Sequence, residues 1–294
     1  MGAHAGWDPA AMSTFLHTLD RYTQLGRRSG RRPSFFDSHP MTPERVETTA
    51  AFARTLGQHA AATPIAPTRT AFLTKMEGVI VGADPAAGVL DGDRFLHPDL
   101  GFHLLLPSGW QVENSRAALG ALSPRGDALV TLALQSEGGD PAAAAGAFLQ
   151  ANRLQPVAAG PLRIGELTAY RAVAPAATRG GRVELHLTWI ARDGRIFRIT
   201  GMAAAHAYDA HAATFDRTAG SFGTLTNDER HSIHVHLLHA ASARDGETLA
   251  ALGPRVGNTW STAETAAANA VPDAASLTAG QLVKVVVARP YAGP

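Results

Sequence analysis

Apolar residues in the first part of the chain recur at helical spacing. Met12, Phe15 and Leu19 follow one another at intervals of three or four residues, after an Asp8-Pro9 pair that supplies an N-cap and a proline for the first turn. This pattern predicts a helix that buries one stripe of its surface. A second helix is predicted from Thr42 to about Leu56, with a proline at its first position.

The spacing changes to runs of strand length in the middle of the chain. These runs are rich in β-forming residues and are separated by Gly, Pro and Asp: FHLLLPSGW, DALVTLALQ, LTAYRAVAP, RVELHLTWIAR and RIFRITGMA. Asp193-Gly194 between the last two runs indicates a tight hairpin, because both residues tolerate a positive φ. Two helices, Pro141–Asn152 and Tyr208–Ser221, are predicted to interrupt the strands. We therefore expect an antiparallel sheet with helices packed on it.

The last part of the chain predicts a small module with the order strand, helix, helix, strand. The first strand is expected from His231 to Ala240, and the second helix from Ser261 to Asn269. Gly253-Pro254 is expected to interrupt the first helix early. The complete assignment is an α+β fold with three regions. They are a helical region at residues 1–84, an antiparallel-sheet domain at 91–226 and a βααβ module at 229–294.

Composition supports a globular chain with real cores. Of its 294 residues, 45% are hydrophobic and 17% are charged. A net charge of +1 and 6% aromatic residues argue against nucleic acid as a partner. No cysteine is present, which removes disulfides, thiolate zinc sites and cysteine catalysis, and no apolar run of about 18 residues predicts a transmembrane segment. The expected sheet core consists of Phe102, Leu104, Leu106, Trp110, Leu132, Trp189, Ile196 and Phe222.

Two phrases near the start of the chain carry a family resemblance. AGWDP at Ala5–Pro9 and SHPMTPERV at Ser38–Val46 resemble the segment just downstream of the active site in zinc metallopeptidases of the CAAX-prenyl-protease type, including the BepA-like periplasmic proteins. Such enzymes bind zinc with an HExxH helix, whose glutamate acts as the base. No HExxH occurs in this chain. The resemblance implies that the zinc-binding half would lie upstream, and that zinc belongs to the full-length parent while this chain binds no cofactor.

The same resemblance singles out two residues of the SHPMTPERV phrase. His39 stands where BepA-like relatives carry a histidine close to the zinc, so the resemblance implies an extra ligand or a plug. A neutral imidazole suits that role. The alternative is a histidine that caps the loop before the second helix. Arg45 is expected to pair with a carboxylate near the same loop.

The two later regions also resemble known folds. The opening HPDLGFHLLLPSGWQVEN, from His97, and the closing FRITGMA resemble PsbP-like proteins. The last region resembles a LysM domain, in which a GDTL phrase opens the first helix and an asparagine ends the second. Gly246-Glu247-Thr248-Leu249 stands where the GDTL phrase would be, and Asn269 stands where the asparagine that ends the second helix would be. A glutamate replaces the usual aspartate.

The LysM resemblance implies a shallow sugar-binding groove. Its expected residues are Asp245, Gly246, Glu247, Thr248 and Asn269. Because only one copy is present and neither loop holds an aromatic residue, we expect any binding of peptidoglycan to be weak, and the module to serve mainly in packing.

Histidines suggest a metal site, but their spacing opposes one. His231, His234, His236 and His239 form the densest group. On a strand, alternate residues face opposite sides, so at most two of these imidazoles would converge, whereas a stable zinc site needs three or four ligands. We therefore expect an exposed sheet face and no metal.

Within the sheet region, His186 alternates with Glu184 and Thr188 on one predicted strand, a pattern typical of the solvent side of a sheet. Trp110 and Trp189 are expected to be buried. No G-x-S-x-G elbow supports a nucleophilic serine.

The sequence thus favours a non-catalytic C-terminal accessory region of a bacterial zinc metalloendopeptidase. Its work would be to position the missing peptidase core, its protein substrates or other envelope proteins. Two alternatives stay open: a fragment of an active endopeptidase in envelope protein quality control, and a module that binds peptidoglycan. By resemblance, the expected location is the bacterial periplasm or cell envelope.

Overall fold

The fold is α+β, as predicted, with helices and antiparallel sheets. The structure, a computed structural model, describes residue 8 and residues 10–28, 43–56, 66–114 and 119–293. These residues divide into two compact units. The sheet unit contains Ala83–His234 and the chain end from Pro290. The bracketing unit combines the described residues up to Gly82 with Val235–Arg289.

The elements have the following bounds. The described helices are α1 (Ala10–Arg28), α2 (Pro43–Thr55), α3 (Arg69–Lys75), α4 (Pro141–Ala151), α5 (Tyr208–Gly220), α6 (Asn227–Ser232), α7 (Leu249–Val256) and α8 (Thr262–Asn269). The described strands are β1 (Val89–Asp91), β2 (Arg94–His97), β3 (Phe102–Leu105), β4 (Gln111–Asn114), β5 (Leu119–Leu122), β6 (Ala128–Glu137), β7 (Ala158–Ile164), β8 (Leu167–Thr178), β9 (Gly181–Arg192), β10 (Arg195–Ala204), β11 (Gly223–Thr224), β12 (His234–Ser242) and β13 (Leu282–Pro290). None of these helices is both long and apolar enough to cross a bilayer.

The sheet unit is built on a seven-stranded antiparallel sheet. Its strand order is β4-β5-β6-β10-β9-β8-β7, and a smaller sheet has the order β1-β2-β3-β11. Asp193 and Gly194 join β9 to β10 with φ values of 48° and 70°, so the predicted hairpin is confirmed. The strand β7 forms one edge of the large sheet.

Both faces of the large sheet are covered. The helix α4 packs on one face, where Ala145 and Phe148 meet Trp189. The helix α5 and the smaller sheet cover the other face, where Phe215 and Phe102 share one core. The centre of β9 is therefore buried on both sides. Of the predicted core, Trp110 is partly buried and the other residues are buried: Phe102, Leu104, Leu106, Leu132, Trp189, Ile196 and Phe222.

Gly201 sets how closely α5 approaches the sheet. A Cβ at this position of β10 would overlap the ring of Phe215. Any larger residue would push that ring, and the helix that carries it, away from the strand.

In the bracketing unit, a short segment from the first part of the chain pairs with β12. The N–H groups of Gly78 and Val81 donate to the carbonyl oxygens of Leu238 and His236, both at 2.9 Å, and the N–H of Leu238 donates back to Val79 at 2.8 Å. The strand β13 pairs with β12, and its valines pack with leucines of α7.

Two helix predictions for this unit are wrong in detail. The helix α7 continues through Pro254 to Val256. It does so because Gly253 has no Cβ to clash with the proline ring. On α1, Met12 and Phe15 belong to the stripe that was expected to be buried, but each is 55% exposed.

Candidate functional site

Glu247, one of the residues predicted to line a sugar groove, is held by Arg255. The Nε and Nη2 atoms of Arg255 donate to the two carboxylate oxygens at 2.6 Å each, and the N–H of Arg244 donates at 2.9 Å. The Arg255 hydrogen bonds are the largest cause that lowers the pKa of Glu247 to about 2. This carboxylate holds its own loop together.

Asn269 and Thr248 are also used by the framework of the module. The Asn269 amide donates to the carbonyl oxygens of Thr265 at 2.9 Å and Lys284 at 2.8 Å, and its Oδ1 accepts from the Lys284 N–H at 2.8 Å. Thr248 caps α7 by accepting a hydrogen bond from the N–H of Ala251 at 3.3 Å. These side chains fix the ends of the two helices.

Gly246 and Asp245 complete the predicted groove. Gly246 has a φ of 68° and donates its N–H to Leu277 at 2.9 Å, whereas Asp245 is exposed. In the described part of the chain, the loop that holds them bonds to the segment around Leu277, and no hydrogen bond links it to Asn269. Sugar binding here stays a prediction, and it would have to use mainly backbone groups and Asp245.

His39 lies outside the described residues, and so does the side chain of Arg45 on α2. Their expected place near a zinc site stays a prediction. The prediction that all four clustered histidines lie on one strand is wrong: His234, His236 and His239 lie on β12, whereas His231 does not. His231 lies on α6, because Thr226 and Glu229 form a capping box that starts a helix there. Within the described ranges, no three His, Asp or Glu side chains are grouped as a metal site requires.

His186 is buried rather than solvent-facing, so this prediction is wrong. It is 4% exposed, because α5 covers its face of β9. Its Nδ1 lies 2.9 Å from Oη of Tyr208, and its Nε2 lies 3.1 Å from Oδ1 of Asp216. Burial is the largest cause that lowers the pKa of His186, and Asp216 opposes it. The imidazole is therefore neutral at pH 7.

Arg171 joins His186 from the neighbouring strand. It pairs in register with Thr188, and its Nη1 lies 2.7 Å from Oδ1 of Asp216. We call these five residues, Arg171, His186, Thr188, Tyr208 and Asp216, the polar cluster. Burial is also the largest cause that raises the pKa of Tyr208, so its phenol stays protonated.

The polar cluster contains enclosed atoms without a hydrogen-bond partner. They include Nε of Arg171 and Oγ1 of Thr188, for which the described residues offer none. The contact between His186 Nε2 and Asp216 Oδ1 is short but lacks hydrogen-bond geometry. Such orphaned atoms are uncommon in folded proteins, and they indicate a place where water or a ligand completes the bonding.

An open groove of about 260 Å³ lies beside the polar cluster, along the edge strand β7. It shares Arg171 with the cluster. Its other lining residues are small or apolar: Ala158, Ala159, Gly160, Pro161, Leu162 and Val173. The groove and the cluster together are the candidate site of the sheet unit, because shape and unused polar groups coincide there.

Ser123, Asp127 and His211 also lie together, but in the wrong order for nucleophilic catalysis. The hydroxyl of Ser123 donates to Asp127 at 2.8 Å, and the same carboxylate oxygen lies 3.2 Å from Nε2 of His211. A triad needs the histidine between the serine and the aspartate. Here the aspartate stands in the middle, so these three residues do not form a triad.

Comparisons with known proteins give no family. No protein-family model matches the chain, and no curated protein matches it. Among solved structures, a protein of Bacteroides thetaiotaomicron is 14% identical with a TM-score of 0.36; the match covers 53% of this chain and 55% of that protein. Cyanobacterial PsbP from Synechocystis is 14% identical over 49% of this chain and 98% of its own, with a TM-score of 0.38.

A third similar structure is LpqN of Mycobacterium tuberculosis, which is described as involved in cell envelope biogenesis. It is 13% identical over 55% of this chain and 100% of its own length, with a TM-score of 0.33. The chain spans about half the length of the Bacteroides protein. At these TM-scores, none of the three similarities assigns a function to this chain.

Proposed function

We propose that the chain is a non-catalytic accessory region that positions a zinc-peptidase core through the surface of α1 and α2. One observation carries the proposal. Two helices that pack on each other expose large apolar side chains, with Met12 and Phe15 each 55% exposed and Phe52 62% exposed. Exposed aromatic residues are typical anchors of protein interfaces.

The two motif phrases support the choice of partner. AGWDP immediately precedes α1, and SHPMTPERV runs into α2, so the phrases that resemble zinc metallopeptidases border the exposed helices. The peptidase core would carry the zinc, and this chain would carry none. The expected location is the bacterial periplasm or envelope.

The direct test mixes the full chain with a separately produced core of this peptidase class that contains HExxH. Binding is measured by calorimetry. We expect Phe15→Ser and Phe52→Ser each to weaken binding at least about tenfold, because an aromatic side chain gains about 1.5–3 kcal/mol on burial.

Val157→Ser is the matched control, since Val157 is 72% exposed on the sheet unit. It should leave the affinity unchanged. Equal affinity for the original chain and all three variants would contradict the proposal. Binding of an unfolded protein substrate, with no binding of the core, would favour a role in substrate positioning instead.

A further inference from the structure

The polar cluster and its groove suggest a binding site that is independent of the docking surface on α1 and α2. Three features coincide in the sheet unit: an open groove, an arginine that lines it, and a buried threonine without a partner. Arg171 and Thr188 are cross-strand partners, so their side chains lie on the same face of the sheet.

Arg171 uses only part of its guanidinium group within the described structure. Its Nη1 is 2.7 Å from Asp216, and the enclosed Nε has no partner. A guanidinium group binds a carboxylate through charge-assisted hydrogen bonds from its N–H groups. Nη2 of Arg171 makes no hydrogen bond or ion pair with the described residues, so its N–H groups are the ones that can bind a carboxylate in the groove.

The groove is apolar apart from Arg171, and it is open because its residues are small. Ala158 and Gly160 lie opposite Val173 and Arg171 on the paired strands. Gly160 has no neighbour within 4 Å of where a Cβ would lie. A ligand for this site therefore needs an apolar body next to its charged group.

Charge balance adds a second requirement. The charged and titratable groups around His186 are Arg171 on β8, Asp216 and Tyr208 on α5, and Glu184 on its own strand. With a neutral imidazole, the charge of Arg171 is cancelled by Asp216, and Glu184 adds a negative charge nearby. An added anion would leave a net negative charge in a half-buried site, which is unfavourable unless His186 takes up a proton.

We propose that this groove binds a small molecule or chain end with an apolar body and one carboxylate, held by Arg171, and that binding is accompanied by proton uptake at His186. The carboxylate could belong to a free aliphatic acid or to the C-terminus of a peptide with small residues. Both present the same chemistry to Arg171.

The experiment measures binding to the full chain by ligand-observed NMR and calorimetry. The probes are hexanoate and N-acetyl-trialanine, each compared with its neutral amide. We expect at least one acid to bind, and its amide to bind at least about tenfold more weakly. Whichever acid binds identifies the source. If neither acid binds, or if acid and amide bind equally, the proposal is wrong.

Variants test the assignment of residues. Arg171→Gln should weaken binding of the acid at least about tenfold, whereas Arg163→Gln, an exposed arginine on β7, should not. Gly160→Leu fills the groove from the position opposite Arg171 and leaves the arginine itself in place, so it should abolish binding even if Arg171→Gln fails to fold. Gly146→Leu on α4, where a Cβ also meets nothing within 4 Å, is its control. Full affinity in Gly160→Leu would overturn the site.

Proton uptake at His186 is tested by measuring the affinity for the acid as a function of pH. Because His186 is neutral in the free protein, affinity should rise as the pH falls through the pKa that His186 has in the complex. His186→Gln should flatten this dependence while the protein remains folded. A pH dependence that is identical in His186→Gln would overturn the proposed proton uptake.

Discussion

Thr265 of the bracketing unit and Thr188 of the sheet unit have side chains that are 1% and 0% exposed, but their bonding differs. The Thr265 hydroxyl donates to the carbonyl of Ser261 and accepts from Nδ2 of Asn258, both at 2.8 Å. Thr188 Oγ1 has no partner among the described residues. A buried polar atom without a partner destabilises a fold. The difference indicates that the Thr265 hydroxyl holds the structure, whereas the Thr188 hydroxyl makes no such bond within the described residues.

This difference in hydrogen bonding is one between local clusters of residues, and not one between the two units as a whole. Glu229, also in the sheet unit, accepts hydrogen bonds from Arg94 and His103 at 2.9 Å and from the N–H of Thr226 at 2.8 Å. It is as fully bonded as Glu247 of the small module. Unused polar atoms are thus a property of the region beside the groove, which is why we assign a ligand there.

Acid should have the largest effect on the fully bonded sites. Burial would raise the pKa of Glu229, but hydrogen bonds from His103 and Thr226 outweigh it and hold the pKa at about 2, below the ordinary 4.5. This carboxylate therefore contributes stability above pH 4.5 that is lost as the pH falls through about 2, on the order of 3 kcal/mol. Chemical denaturation across that range would measure the loss. In Glu229→Gln the slope should be shallower, and an unchanged slope would count against this assignment.

Asn269→Ala should destabilise the bracketing unit by about 2–3 kcal/mol, because it leaves backbone groups of Thr265 and Lys284 without partners. Denaturant unfolding of the full chain is the measurement. Asn152→Ala is the control: this exposed side chain makes a single bond, to Phe148, and its loss should cost less than about 0.5 kcal/mol. Equal costs for the two variants would break the distinction between framework and surface asparagines.

Thr265→Val should cost about 1–2 kcal/mol, since it removes a hydroxyl with two partners and leaves Asn258 short of an acceptor. Thr265→Ser keeps the hydroxyl and should recover part of the loss. The measurement is the free energy of unfolding of each variant. An unchanged free energy of unfolding in Thr265→Val would mean that these hydrogen bonds do not contribute to stability.

Thr188→Val should have the smallest effect on stability, within about 0.5 kcal/mol or slightly stabilising, because no described bond is lost. The same unfolding measurement applies. A loss of stability as large as that of Thr265→Val would remove the contrast between the two threonines.

Local sequence signals predicted much of the fold. Asp193-Gly194 identified the hairpin because its backbone requirement is local, and Trp189 was predicted to be buried because apolar alternation is strong around it. His186 could not be predicted, because alternation separates the two faces of a strand but does not show that helices cover both. Arg171 was missed because its pairing with Thr188 depends on the register of two long strands. The sequence offered only weak evidence that Tyr208 and Asp216 belong to one site, namely that both lie on the same side of α5, the side that contacts His186.

The pairing of segment 78–81 with β12 has a consequence for biosynthesis. The segment leaves the ribosome roughly 150 residues before its partner strand, which at about 5–20 residues per second is a delay on the order of ten seconds. Nearly all of the sheet unit is translated during that interval, so it can fold co-translationally. The bracketing unit also needs β13, whose last residue is Pro290. It therefore closes only after β13 has also left the ribosome.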